Sequence, residues 1–273
     1  MKTLPRRPAA QAVSIGVVGC GAIGSQLARA LARGAVPGAR LVSLTDLNLA
    51  RARSLAQTLR PRPRVLSLDE AARASDLLVE AAGMAAVKPV AAAALRERKH
   101  LLVMSVGGLL EHPELAERFR RAGRRLAFPA GALCGLDGLR AAKALGRIQS
   151  VRLVTRKPPR GLAGAPFFKT HPLRLERLKQ ARRIFCGSAR EAVKAFPANV
   201  NVAAAVALTG IGADRTRVEI VADPGCRRNV HLLEVRGDFG RLQTVTENEP
   251  SRENPKTSAL AAASALAWLR DLA

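Results

Sequence analysis

The chain has 273 residues, 48% of them hydrophobic, which suffices for a sizeable core, suggests two domains of ordinary size and excludes disorder for the bulk. Lys and Arg number 45 against 21 Asp and Glu, a formal charge of +24, yet the arginines are dispersed and there is no Tyr and only one Trp; no nucleic-acid partner is expected, and a diffuse field for small anions, or compositional drift towards Ala and Arg, is read instead. Cys20, Cys134, Cys186 and Cys226 form no Cys-x-x-Cys or Cys/His cluster, so no metal and no disulfide framework is expected; this suits a reducing, cytoplasmic setting, and no apolar run reaches the roughly 18 residues of a membrane span.

Residues 1–12 read as a short flexible tail, with basic residues but without the continuous apolar stretch of a leader. The stretch "VSIGVVGCGAIGSQLARALAR" (13–33) reads as a buried strand, a tight glycine turn and an amphipathic helix. Gly19, Gly21 and Gly24 fill the G-x-G-x-x-G pattern: one makes the turn, one admits a pyrophosphate to the backbone, and one lets helix and strand pack closely. Ala22 and Ile23 open the helix, whose free N–H groups and positive dipole end suit phosphate. The second strand, "LVSLTD" (41–46), ends in Asp46, 22 residues beyond Gly24. A carboxylate there binds adenosine ribose hydroxyls and repels a 2′-phosphate, which favours NAD; the alternative is a helix-capping aspartate. Arg51 and Arg53 relieve that repulsion in part and leave NADP open.

Strand–helix alternation continues through strands at 64–68, 76–83, 100–108 and 125–132, so residues 13–133 are expected to form a Rossmann domain with a doubly wound parallel sheet. Ala82, Gly83, Ser105, Val106 and Ala132 fall at strand carboxyl ends, where such sheets bind ligands.

Residues 134–256 are expected to form a second, smaller α+β domain with an open-faced sheet. A bridging helix (134–146) precedes four alternating strands, at 148–156, 217–223, 229–236 and 241–247. Two helices lie between the first two strands, one opening with Ser188 and Glu191 at capping-box spacing and one over 199–210. The basic stretch "RLERLKQARR" (174–183) reads as the solvated face of a further helix. The expected sheet is antiparallel, with helices on one face and the other free to cover the nicotinamide. Residues 254–272 read as a final helix, with 257–273 assigned to pack back on the Rossmann domain.

On the strand 229–236, Asn229, His231, Leu233 and Val235 alternate onto one face. Position alone favours a satisfied core histidine; the rival is a catalytic acid/base. His100, His112 and His171 have no comparable surroundings.

The stretches "GVVGCGAIG" (16–24), "EAAGMAAV" (80–87), "PAGALCGLDGL" (129–139), "TRKPP" (155–159), "GSAREAVKAFPANVNVAAAVAL" (187–208), "RNVHLLEVRGDFG" (228–240) and "NPKTS" (254–258) resemble the L-aspartate dehydrogenase family in order and over nearly the whole chain. The resemblance implies a homodimer that oxidises L-aspartate with NAD(P) to iminoaspartate, which hydrolyses to oxaloacetate and ammonia or feeds quinolinate and NAD synthesis. It implies that His231 is the active-site histidine, that Asn201 is the nicotinamide-side asparagine, and that the loop near Ala132 contacts the cofactor through its backbone. Met84, Pro129 and the long basic segment 167–185 depart from the family pattern. For such a reaction Asn229 is a candidate to bind substrate or orient the imidazole, a turn asparagine being the alternative. Lys256, Thr257 and either Arg156 or Lys157 are candidates for the substrate carboxylates, against plain surface charge or helix capping. Rival readings are a homoserine dehydrogenase-like or dihydrodipicolinate reductase-like enzyme, and a non-catalytic NAD- or nucleic-acid-binding protein.

Overall fold

The computed structural model describes residues 12–197, 201–251 and 258–272. The first half runs β1 (Val13–Val18), α1 (Ala22–Ala32), β2 (Ala39–Thr45), α2 (Leu49–Gln57), β3 (Arg64–Val65), α3 (Leu68–Ala74), β4 (Leu77–Glu80), α4 (Met84–Arg96), β5 (His100–Val103), α5 (Gly107–Glu111), α6 (Glu114–Arg121) and β6 (Leu126–Ala127). Its strands pair in parallel in the order β3-β2-β1-β4-β5-β6. This is the doubly wound arrangement, with the strand order reversing between β1 and β4. Strands covered on both faces must be apolar throughout, and Ile15, Val17, Leu77, Leu78, Val79, Leu101, Leu102 and Val103 are all buried. Ser105 and Val106 lie beyond the end of β5, just before α5, and not within a strand running to 108.

The second half runs α7 (Leu136–Leu145), β7 (Ile148–Lys157), α8 (Phe167–Thr170), β8 (Arg182–Ser188), α9 (Ala189–Ala195), α10 (Asn201–Thr209), β9 (Thr216–Ala222), β10 (Asn229–Gly237), β11 (Gly240–Asn248) and α11 (Ala259–Leu272). Three expectations need correction. The sheet has five strands, in the order β11-β10-β7-β9-β8, and it is mixed, because β7 and β9 run parallel. The stretch 174–183 is no helix: a single 3-10 turn, Leu175–Arg177, leads into β8. Phe185 on this edge strand meets Phe167 and Phe196, so apolar packing claims the segment while Arg182 and Arg183 stay at the exposed edge.

The third correction concerns the sheet's faces. Leu233 and Val235 lie in the core with Val151, Leu153, Val218 and the alanines of α10, and His231 projects from that same helix-covered face. The free face carries Val154, Val230, Leu232 and Val245, together with Arg152 bridging Glu219 and Glu234. His231 thus stands on the packed side, at the end of the strand that reaches beyond the helices.

The capping box at Ser188 and Glu191 is formed, with Glu191 N–H donating to Ser188 Oγ and Ser188 N–H donating to the Glu191 carboxylate. Helix α11 buries Ala262, Ala265 and Leu269 in the core cluster that contains Leu27 and Leu31 of α1, so the C-terminal helix packs against the first sheet's layer. Among the described residues, no helix is long and apolar enough to cross a membrane.

Candidate active site

At the end of β1 the chain turns sharply at Gly19, whose φ of +96° is costly for any residue with a Cβ. A Cβ on Gly24 would lie 1.8 Å from the Gly19 carbonyl oxygen, so this contact between helix and turn requires glycine. A Cβ on Gly21 would meet nothing within 4 Å, which leaves open space in front of the turn. Asp46 holds the turn from the side: its Oδ2 accepts from Cys20 N–H at 2.7 Å and its Oδ1 from Asn48 N–H at 2.7 Å. Asp46 is not a helix cap; the cap of α2 is Asn48, whose side chain accepts from Arg51 N–H. Arg51 reaches to 3.8 Å from the Asp46 carboxylate.

Two further loops are bound together by Glu80, the last residue of β4, which is fully buried. Its Oε1 accepts from Ala82 N–H (2.7 Å), Gly83 N–H (2.9 Å) and Ser105 Oγ (2.9 Å), and its Oε2 accepts from Ser105 N–H (3.0 Å). Burial pushes the Glu80 pKa up, and the four donors oppose that shift. The strand end of β5 is thereby tied to the loop that starts α4.

The second sheet meets these loops through its polar strand ends. Asn201, at the start of α10, accepts from Gly107 N–H at 3.2 Å. On β11, Asn248 Nδ2 donates to the Ala132 carbonyl at 2.9 Å and Thr246 Oγ1 accepts from Cys134 N–H at 3.2 Å, which pins the loop before α7. Between the two halves lies a cavity lined by Ile23, Val106 and Ala132 from the first half, and by Lys157, Asn201 and His231 from the second, with Ser258 at its rim.

His231 is 2% exposed, and its Nδ1 lies 3.0 Å from Thr155 Oγ1 on β7. Burial pushes its pKa down to about 3, with the nearby Lys157 charge adding to the shift. The ring is therefore neutral at physiological pH, and either neutral tautomer satisfies the Thr155 hydrogen bond. Lys157, also buried, is pushed down to about 8 by desolvation. Asn229 is wholly buried and donates from Nδ2 to Ser258 Oγ at 3.1 Å, whereas its Oδ1 has no hydrogen-bond partner among the described residues. Arg156 projects to the opposite face, 3.2 Å from Asp223. Of the two cations in "TRKPP", only Lys157 reaches the cavity. Lys256 and Thr257 lie outside the described residues.

Known proteins match both halves. The family model "Aspartate dehydrogenase, C-terminal" matches residues 137–272. The model "Homoserine dehydrogenase, NAD binding domain" matches residues 19–129. The L-aspartate dehydrogenase of Methanocella arvoryzae is 47% identical over 262 residues, covering 94% of this chain and 96% of that protein. The chain belongs to the L-aspartate dehydrogenase family. The L-aspartate dehydrogenase of Bradyrhizobium diazoefficiens is 41% identical, covering 98% of this chain and 95% of that protein. The crystal structure of aspartate dehydrogenase from Thermotoga maritima superposes with a TM-score of 0.70 at 26% identity, over 95% of this chain and 96% of that one. A homoserine dehydrogenase from Thiobacillus denitrificans shares the fold, with a TM-score of 0.61 at 16% identity, over 95% of this chain and 73% of that one.

Within this aspartate dehydrogenase fold, Gly19 and Gly24 pack closely in the turn while the space before Gly21 is open, and Ile23, Val106, Ala132, Asn201 and His231 line one cavity. Ala82, Gly83 and Ser105 are joined through a residue that was not singled out from the sequence, Glu80. Its signal was present: an acidic residue closing the otherwise apolar strand "LLVE". Thr155 and Asn248 gave no such signal, since their partners come from distant segments.

Replacing Glu80 should expose the weight of its four bonds. Gly83 N–H keeps Ser105 Oγ as an acceptor, which leaves three donors orphaned; at the low end of about 1–3 kcal/mol each, Glu80→Ala is expected to lower the melting temperature by at least roughly 6–12 °C in a chain of this size. Glu80→Gln keeps an acceptor for the Ala82 and Gly83 amides and should lose clearly less in the same thermal scan. Equal losses in the two variants would show that volume, and not the acceptor, is what matters.

Proposed function

We propose that this chain catalyses the NAD-dependent oxidative deamination of L-aspartate, with His231 as the acid/base. The observation that carries the assignment of His231 is its setting: a desolvated, neutral imidazole on a polar strand end, facing a cavity between the two sheets. Gly19, Gly21, Ala22 and Gly24, with the N-terminus of α1, suit the pyrophosphate, and the open space before Gly21 fits that group. Asp46 suits the adenosine ribose, and Ile23, Ala82, Gly83, Ser105, Val106, Ala132 and Asn201 suit the nicotinamide half. NAD held by these residues would supply the hydride acceptor for the substrate Cα, and the walls of the cavity would serve to orient the two.

The residues of the chain supply the rest. The substrate ammonium must first shed a proton, which a neutral imidazole can accept, so that the nitrogen lone pair can form the C=N bond as hydride leaves Cα. The product, iminoaspartate, is hydrolysed to oxaloacetate and ammonia once water is activated, and the same ring can serve that step. Thr155 holds the ring at Nδ1. Asn229, two positions earlier on β10, has a carbonyl oxygen without a partner among the described residues and is read as binding substrate or orienting the ring. Lys256 and Thr257 remain candidates for a substrate carboxylate. The reading places the enzyme in the cytoplasm, with residues 13–133 and 134–256 as its two domains.

A homodimer is part of the proposal. The free face of the second sheet presents Val154, Val230, Leu232 and Val245, the last 55% exposed, an apolar row unusual on a chain this charged. Light scattering should give a mass of two chains, and Leu232→Asp should shift it to one; a wild-type monomer at micromolar concentration removes this element.

His231→Ala should lower kcat by about 10²–10⁴-fold and leave NADH affinity intact. With its pKa near 3 in the free enzyme, His231 should impose no acid limb near pH 6.5 on kcat/KM, whose rise should follow the alkaline release of the substrate ammonium proton. Normal turnover per folded molecule in His231→Ala, or faster oxidation of L-malate or L-homoserine than of L-aspartate, contradicts the assignment.

Asp46→Ser should raise the NADP/NAD ratio of kcat/KM by at least about 10-fold, because it removes the charge facing a 2′-phosphate and frees Arg51, now 3.8 Å from that carboxylate. An unchanged ratio would mean that Asp46 serves only to hold the Cys20 and Asn48 amides.

A further inference from the structure

A dicarboxylic substrate with a neutral amine carries two negative charges into the cavity. Among the described residues, the linings contributed by α1, the end of β5, the 129–132 loop, α10 and the start of α11 bring no ionisable side chain. Strands β7 and β10 bring one each, Lys157 and His231. Lys157 follows Thr155 by two positions on β7, so both project from one face, and Thr155 is the residue that meets the His231 ring.

We propose that Lys157 anchors a carboxylate of the dicarboxylic substrate, and that seating this carboxylate is what allows His231 to hold a proton during turnover. The proposal rests on the reading of L-aspartate as substrate and His231 as acid/base.

A buried ammonium ion is poorly solvated, and a carboxylate brought beside it favours its charged form. Without substrate, desolvation and the Lys157 charge together keep His231 neutral, while desolvation draws Lys157 itself down to about 8. A carboxylate bound to Lys157 cancels the repulsion felt by the imidazole, and the second carboxylate adds attraction. Both basic groups then hold protons more firmly in the complex than in the free enzyme. Base strength at His231 thus appears only when a dianion is in place, which couples substrate choice to catalysis.

The test is binding of succinate, a dicarboxylate without a reactive amine, to the enzyme–NADH complex of wild type, Lys157→Arg and Lys157→Met between pH 6 and 10. Wild-type affinity should fall as pH rises through about 8, where the free enzyme loses the Lys157 proton. Lys157→Arg should keep its affinity to pH 10, since guanidinium stays charged. Lys157→Met should bind roughly 10–100-fold more weakly at pH 7 and show no fall near 8, with NADH affinity unchanged as the check on folding. In NMR titrations, saturating succinate should raise the His231 ring pKa clearly more in wild type than in Lys157→Met, which has no Lys157 charge to cancel.

Wild-type affinity for succinate in Lys157→Met, or the same pH profile in all three proteins, overturns the anchor. An unmoved His231 ring in the wild-type succinate complex overturns the coupling. Because succinate is not oxidised, these outcomes stand apart from any failure of His231→Ala to lose activity. Should Lys157→Met fail to fold, the displaced pH profile of Lys157→Arg decides the matter alone.

Discussion

Side chains alternate along a β-strand, and on β10 that geometry binds the core to the chemistry. Leu233 and Val235 anchor the strand beneath the helices, so His231 and Asn229 must project from the same face, one and two steps nearer the strand's beginning. A slip of one residue would bury Val230 and Leu232 and turn the imidazole outwards. The apolar half of the face therefore sets the register of the polar half. The neighbouring strands repeat the pattern: Leu153 then Thr155 and Lys157 on β7, and Thr246 and Asn248 on β11.

Placing such groups in a buried position costs stability. Burial pushes the Lys157 pKa from its ordinary 10.5 down to about 8, a penalty on the charged form. Between about pH 8 and 10.5 the unfolded chain holds this proton and the folded chain has released it, so this contribution makes folding more favourable as pH rises through that window. Below pH 8 both states hold the proton and the folded chain bears the full cost. His231 follows the same sign: from pH 6.5 down towards 3 the unfolded chain takes up a proton that the folded ring refuses, so folding weakens with acid. A ligand that brings negative charge offsets both costs.

The loops opposite are held by backbone amides and not by side-chain packing alone. Glu80 collects three amides and a hydroxyl from two loops, Asp46 collects two amides from the glycine turn and the β2 end, and Asn248 reaches the Ala132 carbonyl. Each polar side chain satisfies groups of irregular backbone, buried or half-buried around Glu80 and Asn248 and more exposed at Asn48.

Local pattern carried much of this protein. The glycine spacing, the apolar strands and the two-residue alternation of β10 determined a doubly wound first half, the open space before Gly21 and the shared face of His231 and Asn229, because each depends on residues close in the chain. What period and composition could not decide was which sheet face receives the helices, since either face of β10 carries apolar residues. Nor could they reveal β8, where arginines mask a strand that gains its stability from Phe167 and Phe196. The union of Thr155 with His231, of Glu80 with Ser105 and of Lys157 with the cavity joins segments 25 to 76 residues apart or more. Such contacts form only when strands from separate stretches are brought side by side, and burial then alters the acidity of the groups they enclose. The sequence alone determined which residues could do chemistry; the tertiary structure decided, through register and desolvation, which of them share a cavity and in what charge state.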